Sequence, residues 1–334
     1  MAVKNDILAT RKLSIGYKGK NRPAVVAGEL NLFLKKGELV GLLGPNGSGK
    51  STLIRTLARM QRPLNGRILL EGSDLASLPM KEVAKKVSTV LTDRIRIGNL
   101  TVYNLIAFGR SPYTGMMGKL REEDREIVHW AIEATGLQRF VERDILKLSD
   151  GERQKVMIAR ALAQDTPVIL LDEPTAHLDL PNRVEIIRLL RKLARDTGKA
   201  ILMSTHELDL ALKASDQVWL MDRETDIRCG TPEDLVLNGS FEEVFQQESF
   251  DFDRKTGSFK IHQNCGRQIT LSGDEVSKYW TTRALEREGF IVQEVDTEGK
   301  VQALNKDGEL IWKVGNAPAL SSVEALIQRL RSGG

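Results

Sequence analysis

The fold is decided by Gly44-Pro45-Asn46-Gly47-Ser48-Gly49-Lys50-Ser51-Thr52. The apolar run Leu39-Val40-Gly41-Leu42-Leu43 comes before it, and Thr52 to Met60 follows with helical spacing. Strand, glycine-rich turn and helix start, in that order, are the setting in which G-x-x-x-x-G-K-[ST] binds phosphate. The glycines let backbone N–H groups turn inward around an anion, and the helix N-terminus adds partial positive charge. Lys50 is expected to reach the outer phosphates, and the Ser51 hydroxyl to hold Mg²⁺.

Two further apolar runs end in candidate site residues. Val168-Ile169-Leu170-Leu171 leads into Asp172-Glu173-Pro174, the pattern of a buried parallel strand that opens at its C-terminal edge. Asp172 is expected to hold Mg²⁺ through water, and Glu173 to orient and deprotonate an attacking water. Ala200-Ile201-Leu202-Met203-Ser204 leads into Thr205-His206-Glu207, placing His206 within reach of a terminal phosphate. In Leu148-Ser149-Asp150-Gly151-Glu152, Ser149 is a good N-cap and Glu152 completes a capping box. That helix start is a second potential anion site by the same dipole argument. If the two phosphate-binding helix starts lie apart within one copy, a second copy must bring one to the other.

Around these motifs the chain alternates strand and helix, which gives an α/β core. Strands are expected at 6–17, with Tyr17 at the end, and at 25–36, 66–72, 87–91 and 217–221. A short helix is expected at 80–86, and a longer one from Pro181 to Thr197 with proline in its first turn. Between about 100 and 165 the pattern is helical, with Ile127, Trp130, Ala131 and Ala134 recurring on one face. Residues 248–257 are polar and read as a linker. Residues 258–334 read as a small α+β domain of unknown role, with helices at 274–288 and 321–330 and strands at 289–292 and 310–314. Ser321-Ser322-Val323-Glu324 in it resembles a capping box.

The 334 residues suffice for one large or two smaller domains. Forty-nine basic against 45 acidic residues leave a net charge of +4, which argues against a nucleic-acid partner held by phosphate neutralisation. No apolar run approaches the roughly 20 residues of a membrane span, and the N-terminus lacks a signal-peptide core. Two cysteines indicate neither a disulfide framework nor a cysteine metal cluster.

The motifs together resemble the ATP-binding subunit of ABC transporters over about residues 5–247. The carriers are the phosphate loop 44–52, the signature Leu148 to Glu152, the strand ending in Asp172 and Glu173, the loop Ala176-His177-Leu178-Asp179, and His206. The resemblance implies a P-loop NTPase core with an antiparallel β-subdomain and an inserted helical subdomain. It implies ATP and Mg²⁺ as ligands, with Tyr17 stacked on adenine. It also implies a homodimer closing head to tail, with ATP between the phosphate loop of one copy and Ser149 and Gly151 of the other, and Asp179 coupling the two sites. Integral membrane permease subunits and, through them, a substrate-binding protein are the implied partners, at the cytoplasmic face of the membrane. Within the family, Leu105-Ile106-Ala107-Phe108-Gly109-Arg110-Ser111-Pro112-Tyr113, Asp150, and Thr175 to Asp179 resemble subunits of importers for iron–siderophore complexes, haem or cobalamin. An exporter subunit, a soluble ABC ATPase and a non-catalytic regulator are the alternatives.

Two positions depart from the family pattern. Leu91-Thr92-Asp93 stands where a glutamine usually senses Mg²⁺ and water, with Thr92 nearest the expected position and Asp93 a possible substitute. Asp150 and Glu152 stand where glycine and glutamine are common. A carboxylate facing a terminal phosphate is repelled, so Asp150 is expected to point away.

Overall fold

The computed structural model describes residues 6–19, 22–92, 98–115, 118–222, 226–245, 250–253, 257–261, 266–295, 300–306 and 309–332. The chain divides into two compact units. Met1–Gln246 with Phe252–Ser258 form one, and Gln247–Asp251 with Phe259–Gly334 the other.

The first unit is built on a six-stranded sheet. Its order is Ile227–Gly230, Gln217–Met221, Leu39–Leu43, Ala200–Ser204, Val168–Leu171 and Val87–Val90. All neighbours are parallel except the pair at the Ile227–Gly230 edge. Every residue of Leu39–Leu43, Val168–Leu171 and Ala200–Ser204 is buried, as a parallel sheet covered on both faces requires. Ala200–Ser204 lies between the other two, so the phosphate loop, Asp172-Glu173 and Ser204 to His206 leave the sheet at one edge, side by side.

A second, antiparallel sheet runs Ala24–Leu30, Asp6–Tyr17, Asn65–Leu70 and Ser73–Asp74, with Phe33–Lys35 paired to the first half of Asp6–Tyr17. The strand expected at 25–36 is therefore two strands. Glu29 adopts a left-handed conformation (φ 54°), and the Thr10 hydroxyl bridges the break. That hydroxyl donates to Leu30 O at 2.9 Å and accepts from Leu32 N at 2.8 Å. A hydroxyl with one donor and two acceptor sites can serve both backbone groups at once.

The helices Val102–Ala107, Glu122–Ala134 and Asp150–Ala163 share one apolar core. Glu122–Ala134 buries Val128, Ala131 and Ile132, whereas Trp130 is exposed. The apolar face expected on Ile127, Trp130, Ala131 and Ala134 is thus turned by one position about the shared Ala131. A buried ion pair anchors this helix: Arg110 Nε donates to Asp124 Oδ1 at 2.9 Å, and Arg110 Nη1 to Ala163 O at 3.0 Å. Burial works to raise the Asp124 carboxyl, but hydrogen bonds from the Arg121 backbone and from Arg110 outweigh it and hold it low.

Residues 248–257, expected as a linker, contain the strand Phe250–Asp253, which pairs with Ser258–Ile261 in a two-stranded sheet. Phe252 is buried and stacks on Phe241, with ring centroids 5.3 Å apart. Phe241 stacks in turn on Phe245.

The C-terminal unit has a mixed sheet ordered Phe290–Glu294, Arg267–Ser272, Val301–Lys306 and Glu309–Val314. The helices Glu275–Arg287 and Val323–Ser332 complete a core of Ile269, Leu271, Leu285, Val301, Trp312 and Leu326. Trp312 Nε1 donates to the buried Thr281 hydroxyl at 2.9 Å. The second helix is capped by Ser322, whose hydroxyl accepts from Ala325 N at 3.1 Å, one residue later than Ser321 as the sequence suggested. Among the described residues no helix is long and apolar enough to cross a membrane.

Candidate nucleotide site

The phosphate loop makes its turn with Gly44 at φ 150° and Gly49 at φ 105°. A Cβ on Gly44 would lie 2.2 Å from Met221 O, and one on Gly49 2.1 Å from Val26 Cγ1. Both positions are therefore closed to any side chain, by backbone conformation and by space. Lys50–Leu57 starts directly after Gly49 with no side-chain cap, so no side chain occupies its first amides. Lys50 Nζ donates to Gly44 O at 2.8 Å and to Pro45 O at 2.9 Å. Burial pulls the Lys50 ammonium below the usual lysine range, while Glu173 and Asp172 work to keep it charged. Ser48 Oγ is buried and, among the described residues, has no hydrogen-bond partner. Open amides, a buried ammonium and an orphaned hydroxyl make a cradle suited to an anion.

Beside the cradle, Ser51 Oγ donates to Asp172 Oδ1 at 3.0 Å. A hydroxyl and a carboxylate oxygen are hard ligands. Mg²⁺ takes one or two such protein oxygens and completes its shell with substrate phosphates and water. No group of three or more His, Cys, Asp or Glu among the described residues makes a protein cage. The residues present therefore fit a nucleotide-borne Mg²⁺.

The next strand end continues the cluster. Ser204 Oγ donates to Asp172 Oδ1 at 2.8 Å and accepts from Glu173 N at 2.9 Å. Glu173 sits in the left-handed region at φ 51°. Its Oε1 lies 2.7 Å from His206 Nε2. Thr92 Oγ1 donates to the backbone oxygen of Asp172 at 3.0 Å. Thr92 thus touches the Asp172 main chain rather than its carboxylate, and keeps oxygen lone pairs free. Asp93 lies outside the described residues. Tyr17, at its strand end, is 53% exposed and bonds Thr52 Oγ1 through its hydroxyl at 3.0 Å.

The signature segment is organised separately. Ser149 Oγ donates to Glu152 Oε2 at 2.9 Å, Ser149 N donates to the same oxygen at 2.8 Å, and Glu152 N donates back to Ser149 Oγ at 3.3 Å. This complete capping box holds the Glu152 carboxyl below the usual range, chiefly through the Ser149 backbone bond. Asp150 pairs with Arg153 at 2.9 Å. Gly151 abuts Asn182; a Cβ there would meet Asn182 Oδ1 at 2.5 Å. Asn182 is in turn held to Asp179 Oδ1, through its backbone N at 3.1 Å and its side chain at 2.6 Å. So Gly151 and Asp179 meet through Asn182, while the side-chain bonds of Ser149 run to Glu152 and not to the phosphate loop. Sequence reasoning missed Ser204 and Asn182. The signal for Ser204 was a hydroxyl ending an otherwise apolar strand.

A nucleotide cradle, two carboxylates at the end of the strand one further along the sheet and a capped helix carrying the signature define an ABC-type P-loop ATPase. The ABC transporter family model matches residues 27–176, and the iron ABC transporter C-terminal domain model matches residues 266–331. The iron(3+)-hydroxamate import ATP-binding protein FhuC of Bacillus subtilis (strain 168) is 38% identical over 239 residues, covering 72% of this chain and 87% of that protein. The ferric enterobactin transport ATP-binding protein FepC of Escherichia coli (strain K12) is 33% identical, covering 71% of this chain and 86% of that protein. The dimeric post-hydrolysis structure of the ATP-binding cassette MJ0796, bound to ADP and Pi, superposes with a TM-score of 0.58 at 27% identity, covering 67% of this chain and 98% of that chain. The chain belongs to the family of ABC transporter ATP-binding proteins. It is an ABC transporter ATPase.

Proposed function

We propose that this chain is the ATP-hydrolysing subunit of an importer for iron–siderophore complexes. It acts as a homodimer on the cytoplasmic face of the membrane, against integral permease subunits supplied by a substrate-binding protein. The catalytic reading is carried by the 2.7 Å contact of His206 Nε2 with Glu173 Oε1, next to the Ser51–Asp172 pair. ATP lies on residues 44–52, with Tyr17 against adenine and Lys50 on the outer phosphates. Ser51 and Asp172 hold Mg²⁺, which supplies charge neutralisation at the phosphates. Glu173 takes the proton of the attacking water, and His206 keeps the Glu173 carboxylate aimed. Ser149 and Gly151 come from the second copy, and Asp179 couples the two sites. Thr92 stands in for the family glutamine beside Asp172.

The cargo reading is supported by relatives whose names specify iron–hydroxamate and ferric enterobactin import, and by the iron-type C-terminal domain match. Glu173→Gln should bind ATP normally and lose turnover by about 10²–10⁴-fold. Rapid hydrolysis by that variant removes Glu173 from its role. Uptake of labelled ferric siderophores, haem and cobalamin in cells lacking the gene, with and without complementation, assigns the cargo. A defect confined to haem or cobalamin would overturn the iron–siderophore reading. For residues 258–334 we propose an inhibitory or dimer-stabilising role; unchanged transport, ATPase rate and dimerisation after truncation at Gly257 would contradict both.

A further inference from the structure

The strand Ala200–Ser204 lies between the strand of the phosphate loop and the strand of Asp172. Register sets Leu42 opposite Ser204 on one side and Leu171 opposite Met203 on the other. Ser204 is therefore the last strand residue between the two halves of the site, and it is completely buried. A hydroxyl in that position needs partners, because an unsatisfied buried polar group is costly. Its partners are the two residues on which hydrolysis is proposed to depend. It donates to Asp172 Oδ1 at 2.8 Å and accepts from Glu173 N at 2.9 Å.

Both bonds bear on alignment. Asp172 Oδ1 also accepts from Ser51, whose oxygen is proposed to be shared with the metal. The Ser204 bond comes from the protein interior and is independent of that ligand. Glu173 holds a left-handed backbone at φ 51°, a conformation that is costly for a non-glycine residue and needs outside support. The bond from Glu173 N to Ser204 Oγ supplies that support at the amide of the strained residue itself.

We propose that Ser204 is a positioning residue for ATP hydrolysis: its single hydroxyl aligns the Asp172 carboxylate and fixes the backbone turn that aims Glu173. The inference rests on the reading of Asp172 and Glu173 given above. Outer partners that orient metal-binding and catalytic groups are typically worth 10–100-fold in affinity or rate. Ser204 touches no reacting atom in this account and acts through its two neighbours.

The test compares Ser204→Ala, Ser204→Thr and Ser204→Val with the native full-length chain. Threonine and valine add the same bulk to the buried site and differ by the hydroxyl, so their ratio isolates the hydrogen bonds from packing. Two quantities are read: the ATPase rate at saturating ATP, and the affinity for a fluorescent ATP analogue titrated with Mg²⁺ or measured in chelator. Ser204→Ala should lower kcat and raise the half-saturating Mg²⁺ concentration by about 10-fold each. Its affinity for the analogue in chelator should stay within about twofold of native. Ser204→Thr should show about 10-fold higher kcat and about 10-fold lower half-saturating Mg²⁺ concentration than Ser204→Val. Native behaviour of Ser204→Ala, or equal behaviour of the Thr and Val variants, overturns the proposal. Glu173→Gln is measured alongside. If it still hydrolyses ATP, the reading of the base fails whatever Ser204 does. If it is inactive while Ser204→Ala is native, only the role of Ser204 fails.

Discussion

Two helices in this chain begin at motifs that the family resemblance assigns to phosphate, and they begin differently. Lys50–Leu57 follows a left-handed glycine and has no side-chain cap. Asp150–Ala163 follows Ser149 and closes a full capping box with Glu152. The first start leaves its amides without a side-chain cap, open to an anion, with the Lys50 ammonium held on the loop carbonyls beside them. The second satisfies Ser149 N and Glu152 N with its own side chains. A helix start that is the primary phosphate site is held open by glycine. The second start, which on the proposed function meets phosphate only when a second copy arrives, keeps a cap that stabilises the separate chain. In this chain the Ser149 cap is bonded to the Glu152 carboxylate, so the box also carries a negative charge at the helix start.

Three substitutions probe that contrast. Lys50→Ala strikes the open start and should weaken ATP binding by a single copy by roughly 10–100-fold, as expected for a lost bond to a charged group. Calorimetric titration measures it, and native affinity would mean that the loop is not the primary site. Ser149→Ala strikes the capped start. It should leave single-copy ATP affinity unchanged, lower steady-state hydrolysis by about 10-fold, and cost about 1 kcal/mol of stability from the lost cap. A matching loss of single-copy affinity would erase the distinction between the two starts.

Glu152→Gln should have the smallest effect. Glu152 is held below its ordinary carboxyl range by the Ser149 backbone bond. The stability this contributes is fully present above the unfolded carboxyl value and is lost as pH falls through the lower folded value. The glutamine variant should therefore melt slightly lower at neutral pH and lose less stability on acidification, while pairing with ATP a few-fold more readily because a repelling charge is gone. Melting curves across the acid range check the first expectation. An acid limb steeper than native would contradict it.

The parts of the molecule that were legible in the sequence are those with fixed spacing. The phosphate loop, the Asp172-Glu173 strand end, His206 and the Ser149–Glu152 box each follow or precede a run whose period is plain. What escaped depends on contacts distant in sequence. The break between Ala24–Leu30 and Phe33–Lys35 is set by the Thr10 hydroxyl, twenty residues away. Trp130 has the spacing of a core residue, yet Val128 and Ile132 take the core around the shared Ala131. In the C-terminal unit, Arg267–Ser272 and Val301–Lys306 are strands whose polar alternation reads as surface until Ile269, Leu271, Val301 and Ala303 are seen in one core. Ser204 was hidden because a single serine at the end of an apolar strand looks like the strand stopping.

The central claim is that a triphosphate joins the Lys50 cradle of one copy to the Ser149 corner of another. Sedimentation of full-length Glu173→Gln, with and without Mg-ATP, tests it most directly. The account predicts a monomer that becomes a dimer on adding Mg-ATP, and that remains a monomer when Ser149→Ala is added to the same chain. A Glu173→Gln protein saturated with ATP yet still monomeric, or a dimer indifferent to Ser149, would contradict it.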